Sequence, residues 1–165
     1  MNTNKKIILG ISCGDINGIG LEILIKSVLN NLILDACTPV LYVPVYAINF
    51  YKKLFSLDFE YFIIKNARQA VSNRLNIIQI HCSDFIVTPG ISTEHAGKVA
   101  LESLNLAFSD LKQNRIDVLV TLPVNKQNVS LNQSDFFLYF SKKILKREKG
   151  AKPPRLMETS LPINC

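Results

Sequence analysis

Three glycines and one acid share a short loop near the start of the chain. The loop reads GDINGIG over residues 14–20 and lies between an apolar run and an apolar-periodic segment. A loop that leads from a strand into a helix can bind an anion, because the helix start exposes unpaired N–H groups at the positive end of its dipole. Glycine also permits a ligand to approach the backbone closely. The candidate residues for binding a substrate or a cofactor are therefore Gly14, Asp15, Asn17, Gly18 and Gly20.

The spacing of these glycines excludes two familiar nucleotide-binding motifs. It is G-x-x-x-G-x-G, which is neither the Rossmann G-x-G-x-x-G nor the P-loop G-x-x-x-x-G-K-[ST]. Asp15 has two interpretations, since its carboxylate can orient a substrate hydroxyl or support the loop through an Asx-type turn. Asn17 can support the loop in the same way.

A second loop, TLPVNK over residues 121–126, follows a strongly apolar run at residues 116–121. In open α/β sheets, ligands bind beyond the carboxyl ends of the strands. Asn125 and Lys126 are therefore further candidates for a substrate or cofactor loop. Lys126 has two interpretations: it can meet a phosphate or a carboxylate as a point charge, or it can be an exposed, solvated lysine.

The elements that must position these loops alternate between strands and helices. Runs typical of strands occupy residues 5–12, 38–46, 60–64, 76–81 and 116–121. Apolar positions at helical spacing occupy residues 21–32 and 94–113, and a short helix is predicted at residues 47–56. This alternation predicts an α/β fold with a largely parallel sheet that is covered on both faces. After residue 136 the pattern predicts no helix cap and no closing strand.

Composition and charge restrict the class of protein. The 165 residues are 48% hydrophobic and 19% charged, which is typical of one globular domain. No apolar run approaches the roughly 20 residues of a spanning helix, and no signal peptide is recognisable. We therefore expect a cytoplasmic protein with no membrane partner. Of the net charge of +6, residues 136–165 carry seven basic and two acidic residues, so the nearly neutral body predicts no nucleic-acid partner.

The metal-ligating residue types are few and scattered. Cys13, Cys37, Cys82 and Cys165 form no C-x-x-C pair, and the only histidines are His81 and His95. A zinc site or a disulfide framework is therefore not predicted, and reduced thiols are expected.

Three stretches resemble the 4-hydroxythreonine-4-phosphate dehydrogenase family. GDINGIGLE at residues 14–22 resembles the family signature G-D-P-A-G-I-G-x-E, in the form of a branch that writes it GDINGIG. HAGKVALESLNLAF at residues 95–108 and IDVLVTLPVN at residues 116–125 are similar to the family's long helix, its strand and its T-x-P-[IV]-[NH]-K loop. The resemblance covers residues 6–135, the N-terminal portion of the family.

The resemblance implies an isocitrate-dehydrogenase-like, three-layer α/β/α fold without a Rossmann glycine motif. It also implies a homodimer with active sites at the subunit interface, NAD, and a divalent metal (zinc, magnesium or cobalt) held by three histidines. The implied substrate is a small phosphorylated molecule, 4-phosphooxy-L-threonine, whose 3-hydroxyl is oxidised before the carboxylate is lost. This reaction serves pyridoxal phosphate biosynthesis.

The chain also departs from the family pattern. The family's G-H-T-E motif is absent from residues 134–140, and Ser160 stands where the first metal histidine is expected. The remaining contacts belong to a C-terminal half that this chain lacks, so the sheet is expected to be incomplete. We therefore predict no catalytic residue, metal ligand, bound NAD or dehydrogenase activity for the 165 residues alone. Residues 136–165 form a basic, atypical tail that would fit a truncation or a frameshift. Two alternatives stay open: a dehydrogenase of phosphorylated four-carbon sugar acids, and a truncated non-catalytic remnant.

Overall fold

The computed structural model describes residues 6–82 and 86–125, together with the backbone of residues 156–157. The strands are β1 (Ile8–Ser12), β2 (Thr38–Val43), β3 (Tyr61–Ile63), β4 (Leu75–Gln79), β5 (Val118–Thr121) and β6 (Leu156–Met157). The helices are α1 (Gly20–Leu29), α2 (Leu32–Ala36), α3 (Val45–Leu54) and α4 (Glu94–Lys112), with one 3₁₀ turn at Ala67–Gln69.

The strands form one parallel sheet in the order β3-β4-β2-β1-β5-β6. Alternate residues of β2 point to opposite faces, as the period of a strand requires. Leu41 and Val43 pack in the cluster that holds the apolar residues of α1 and α3. Val40 and Tyr42 pack in the cluster that holds most of the apolar residues of α4. Helices therefore cover both faces, and the predicted α/β class with a parallel sheet is confirmed.

The helical patterns are largely confirmed, with one error at the end of α1. Thr93 caps α4 by accepting a hydrogen bond from Ala96 N at 3.2 Å. Apolar residues at helical spacing along this helix are buried: Ala96, Val99, Ala100, Leu104, Ala107, Phe108 and Leu111. In α1 the predicted stripe continues to Leu29 and Leu32, but these side chains are 37% and 69% exposed. The helix ends at Leu29 because Asn31 turns the chain with a left-handed φ of 57°.

All five predicted strands are present, with bounds within three residues of those predicted. β2 ends at Val43 rather than at residue 46, because Pro44 lacks the N–H of a strand residue and instead precedes the first turn of α3. The prediction of no closing strand after residue 136 is wrong, since Leu156–Met157 pairs in parallel with β5. The rest of the predicted basic tail lies outside the described residues. Within the described ranges, no helix is long and apolar enough to cross a membrane.

Candidate functional site at the carboxyl edge of the sheet

The two predicted loops leave the sheet side by side. Ser12, the last residue of β1, is the register partner of Thr121, the last residue of β5. Leu122 N donates a hydrogen bond to Ser12 O at 3.1 Å, so the pairing continues beyond β5. Helices α1, α3 and α4 all begin at this carboxyl edge, as expected for a parallel sheet with helical crossovers.

Gly14 joins the glycine loop to the loop after β5. Its φ is +60°, and a Cβ atom added there would lie 2.3 Å from Pro123 O and 2.6 Å from Leu122 O. The close approach allows Asp15 N to donate to Pro123 O at 2.9 Å. Only glycine combines this backbone angle with this contact. The space beside Gly14 is therefore filled by the chain itself rather than left for a ligand.

Of the other two glycines, Gly20 packs against the second loop, whereas Gly18 is partly exposed. A Cβ atom at Gly20 would lie 3.1 Å from Leu122 Cβ and 3.3 Å from Pro123 Cδ, so Gly20 also accommodates the second loop. Gly18 is half-buried, and a Cβ atom there would make only ordinary contacts with Asp15. Ile19, which follows it, is 59% exposed. The outward part of the glycine loop is thus the stretch around Gly18 and Ile19.

Asp15 forms the predicted Asx turn. Its Oδ1 accepts a hydrogen bond from Asn17 N at 2.9 Å, and its backbone oxygen accepts one from Gly18 N at 3.0 Å. The residue is only 7% exposed. The interpretation of Asp15 as a turn-supporting residue is confirmed, since this geometry stabilises the loop from within.

Asn17 connects the glycine loop to the segment that precedes α4. Its Oδ1 accepts from Thr88 N at 3.0 Å, and its Nδ2 donates to Ile91 O at 2.9 Å and to Thr93 Oγ1 at 3.2 Å. Its backbone oxygen accepts from Gly90 N at 2.8 Å. Asn17 therefore supports more than its own loop, a role that sequence spacing does not indicate because its partners lie 71 to 76 residues away.

Two further supporting residues were missed by the sequence analysis. The Tyr51 hydroxyl on α3 donates to Ile16 O at 2.9 Å and contacts Gly18 O at 3.3 Å. Burial, together with the nearby Asp15 and Glu22 carboxylates, raises the pKa of Tyr51 to about 12, so its proton stays in place. Glu22 itself lies in the first turn of α1, where its charge suits the helix dipole, and pairs with Lys26.

The second missed residue is Ser103 on α4. Its Oγ accepts from Cys13 N at 2.9 Å and donates to Tyr42 O at 2.6 Å. This one hydroxyl satisfies two backbone groups where β1 and β2 end. Ser103 lies 90 residues from Cys13 in the sequence, and no motif links the two.

Tyr46, Cys82 and His95 form a half-buried polar group at the same edge. The Tyr46 hydroxyl lies 3.4 Å from His95 Nε2 and 3.7 Å from Cys82 Sγ. Burial, and then the nearby Lys98 ammonium, lowers the pKa of His95 below its ordinary value of 6.5. A neutral imidazole can either donate or accept a hydrogen bond at this contact.

Of the two candidate residues in the second loop, Asn125 lies within the described residues. Asn125 is half-buried, and its Nδ2 lies 3.5 Å from Ser92 Oγ, at the start of α4. The loop after β5 therefore approaches the same segment that Asn17 holds. Lys126 lies outside the described residues.

The described residues do not by themselves fit a divalent metal. Among residues 6–82 and 86–125, no group of three His, Cys, Asp or Glu side chains is placed to hold one ion. Burial raises the pKa of the Cys13 thiol to about 12, which disfavours the thiolate that a metal would bind. The space beside Gly14 and Gly20 does not offer a cradle for a dinucleotide either.

The fold and these loops define the class of protein: an α/β protein with a parallel sheet and a cluster of interlocked loops at its carboxyl edge. A family model described as pyridoxal phosphate biosynthetic protein PdxA matches residues 35–157. This match covers most of the chain, and the chain belongs to that family.

Curated relatives carry related names. A 4-hydroxythreonine-4-phosphate dehydrogenase from Bacteroides thetaiotaomicron is 33% identical over 134 residues, which are 80% of this chain and 36% of the relative. One from a Sulfurihydrogenibium species is 34% identical over 119 residues, which are 72% of this chain and 36% of the relative. The chain therefore spans about a third of the length of these relatives.

Solved structures with the same fold are also known. This chain is similar to a 4-hydroxythreonine-4-phosphate dehydrogenase from Burkholderia phymatum, with a TM-score of 0.70 and 21% identity over 76% of this chain and 39% of that chain. A Klebsiella pneumoniae enzyme of the same name gives a TM-score of 0.70 and 21% identity over 84% of this chain and 45% of that chain. These similarities establish the fold.

Proposed function

We propose that residues 1–135 contribute one wall of the active site in an NAD-dependent and metal-dependent dehydrogenase that acts on 4-phosphooxy-L-threonine. The observation that carries the proposal is the contact at Gly14, where the loop at residues 14–20 meets Leu122 and Pro123 of the second loop. These are the two loops that resemble the family signatures, and their association supports a shared role in binding.

In the proposed reaction, the carbon of the 3-hydroxyl loses a hydride to NAD and the hydroxyl oxygen loses a proton, which gives a ketone. The carboxylate would then leave as carbon dioxide, the electron pair of the broken C–C bond would pass into an enolate, and the enolate would take up a proton at carbon. NAD and the metal enter this proposal through the family resemblance, and no step of their chemistry is assigned to the described residues. The loops of this chain would hold the phosphorylated substrate, with the half-buried Gly18 and Asn125 facing it. The same resemblance extends the proposal to a homodimer.

A second candidate substrate is favoured by the name that several curated relatives carry. A protein from Oceanobacillus iheyensis, provisionally named a D-threonate 4-phosphate dehydrogenase, is 26% identical over 129 residues, covering 75% of this chain and 38% of the relative. Phosphorylated four-carbon sugar acids differ from 4-phosphooxy-L-threonine in carrying a hydroxyl in place of the amino group. Both substrates share the phosphate, the hydroxyl and the carboxylate that the loops would meet.

The proposal is tested by titrating the isotope-labelled 165-residue chain with each substrate and following the backbone amides by NMR. We expect saturable shifts confined to residues 13–20, 88–95 and 122–125. The absence of saturable shifts with either substrate would contradict the proposal and favour the non-catalytic remnant. Inorganic phosphate serves as a control for binding through the phosphate alone.

The chain should bind substrate without turning it over. We expect no NADH above a no-enzyme control when the 165 residues are mixed with either substrate, NAD and excess zinc or magnesium. Hydride transfer requires the substrate hydroxyl, the nicotinamide and the metal to be held together at near-attack distances. Metal-dependent NADH formation by the isolated chain would show that the active site is complete within it.

A further inference from the structure

We infer that Asn17 is a positioning residue that fixes the segment at residues 88–93 against the glycine loop, rather than a group that contacts the substrate. Its side chain is 3% exposed, although the loop that carries it reaches solvent at Ile19. A residue with so little free surface has its contacts inside the protein. The inference deepens the proposed function and rests on it for the statement that this segment faces a substrate.

The hydrogen-bonding groups of Asn17 are taken up by the protein. An asparagine amide offers two N–H donors and one oxygen acceptor. The two donors are used by Ile91 O and Thr93 Oγ1, and Oδ1 accepts from Thr88 N. The backbone N–H is used by Asp15 and the backbone oxygen by Gly90. A substrate could recruit the donors only by breaking contacts between two loops.

Residues 88–93, the segment that Asn17 holds, include Thr93, the N-cap of α4. Thr93 Oγ1 receives one Asn17 donor while it also caps Ala96 N, so the same oxygen joins the glycine loop to the first turn of α4. Ser92, the preceding residue, faces Asn125 in the loop after β5. Asn17 therefore ties together the three stretches that make up the candidate site.

The residue type matters because of its shape and its neutrality. An alanine at this position would offer no atom that reaches Thr88, Ile91 or Thr93. An aspartate would keep the acceptor for Thr88 N but lose both donors and place a second carboxylate close to Asp15. The two substitutions therefore remove different parts of the same connection.

The test is native-state amide hydrogen exchange on the 165-residue chain and its variants. Asn17→Ala should accelerate exchange at Thr88 by at least about tenfold, since a lost hydrogen bond leaves that amide without its partner. Asn17→Asp should restore the protection of Thr88, because aspartate keeps the side-chain acceptor. Gly90 N donates to the backbone oxygen of residue 17, so its exchange rate is the internal reference for movement of the whole segment. Asn30→Ala, at an exposed position that ends α1, is the matched control and should leave both amides unchanged.

The results distinguish positioning from general stability. The inference predicts faster exchange at residues 88–93 in Asn17→Ala and a return of protection at Thr88 in Asn17→Asp. The slow amides of β1 and β2 should change no more than the free energy of global unfolding does. Equal protection of Thr88 in wild type and Asn17→Ala would overturn it. A uniform increase at every amide, with no recovery in Asn17→Asp, would overturn it as well.

A titration with 4-phosphooxy-L-threonine separates this inference from the proposed function. If wild type shows saturable shifts, Asn17→Ala should lose those at residues 88–93 and keep those at residues 122–125. Unchanged shifts at residues 88–93 would refute the positioning of a substrate-facing segment. If wild type shows no shifts, the proposed function fails, and the exchange data alone decide whether Asn17 fixes the segment.

Discussion

Replacing Gly14 by alanine should destabilise the chain more than the same change at Gly90. Both glycines have positive φ, at +60° and +77°, so placing a Cβ in the left-handed region costs about 1 to 2 kcal/mol at each. At Gly90 nothing lies within 4 Å of the added atom. At Gly14 the Cβ meets backbone oxygens at 2.3 and 2.6 Å, which cannot move away as a flexible side chain would.

Forcing the two loops apart adds an overpacking cost of about 1 to 3 kcal/mol. Gly14→Ala should therefore lower the free energy of unfolding by about 2 to 5 kcal/mol, a large share of the roughly 5 to 15 kcal/mol typical of a domain. Urea unfolding followed by circular dichroism measures both variants under the same conditions. Equal losses at Gly14 and Gly90 would refute the conclusion that the glycine loop is closed by the loop after β5.

Two titratable groups give further predictions. His95 should titrate below 6.5 by NMR. The unfolded chain then takes up this proton at a higher pH than the folded chain, so stability should fall as pH drops from about 6.5 toward the lowered pKa. His95→Gln should remove that dependence. A His95 midpoint at or above 6.5 would contradict its burial. Cys13, with a pKa of about 12 and no exposed surface, should react with a thiol reagent at pH 8 at least about tenfold more slowly than the half-buried Cys82, as located by mass spectrometry. Equal labelling in the native chain would show that β1 opens readily at its carboxyl end.

Local patterns predicted the elements well because each records a single physical requirement. The stripe of α4 and its Thr93 cap reflect burial and unpaired N–H groups, both of which are readable within one helix. The errors came where two short-range preferences compete. Leu32 continues the helical spacing of α1, but Asn31 turns the chain, and the leucine becomes 69% exposed.

The candidate site was only partly predictable for a different reason. The glycine spacing indicated a tight loop but not what fills it, because Leu122 and Pro123 come from the loop after β5, more than 100 residues away. Tyr51 and Ser103 support the same edge through single hydroxyl groups that carry no sequence signature. Contacts of this kind depend on which strands are neighbours, and the order of strands in the sheet was not fixed by periodicity.

The most direct test of the account is turnover by a chimera. In it, the N-terminal third of the Bacteroides thetaiotaomicron relative is replaced by residues 1–126 of this chain, which carry both loops and the Asn17 connection. We predict metal-dependent NADH formation from 4-phosphooxy-L-threonine and NAD, with the intact relative as the positive control. A chimera that folds and melts cooperatively but forms no NADH with either candidate substrate would contradict the claim that these loops form one wall of a dehydrogenase active site.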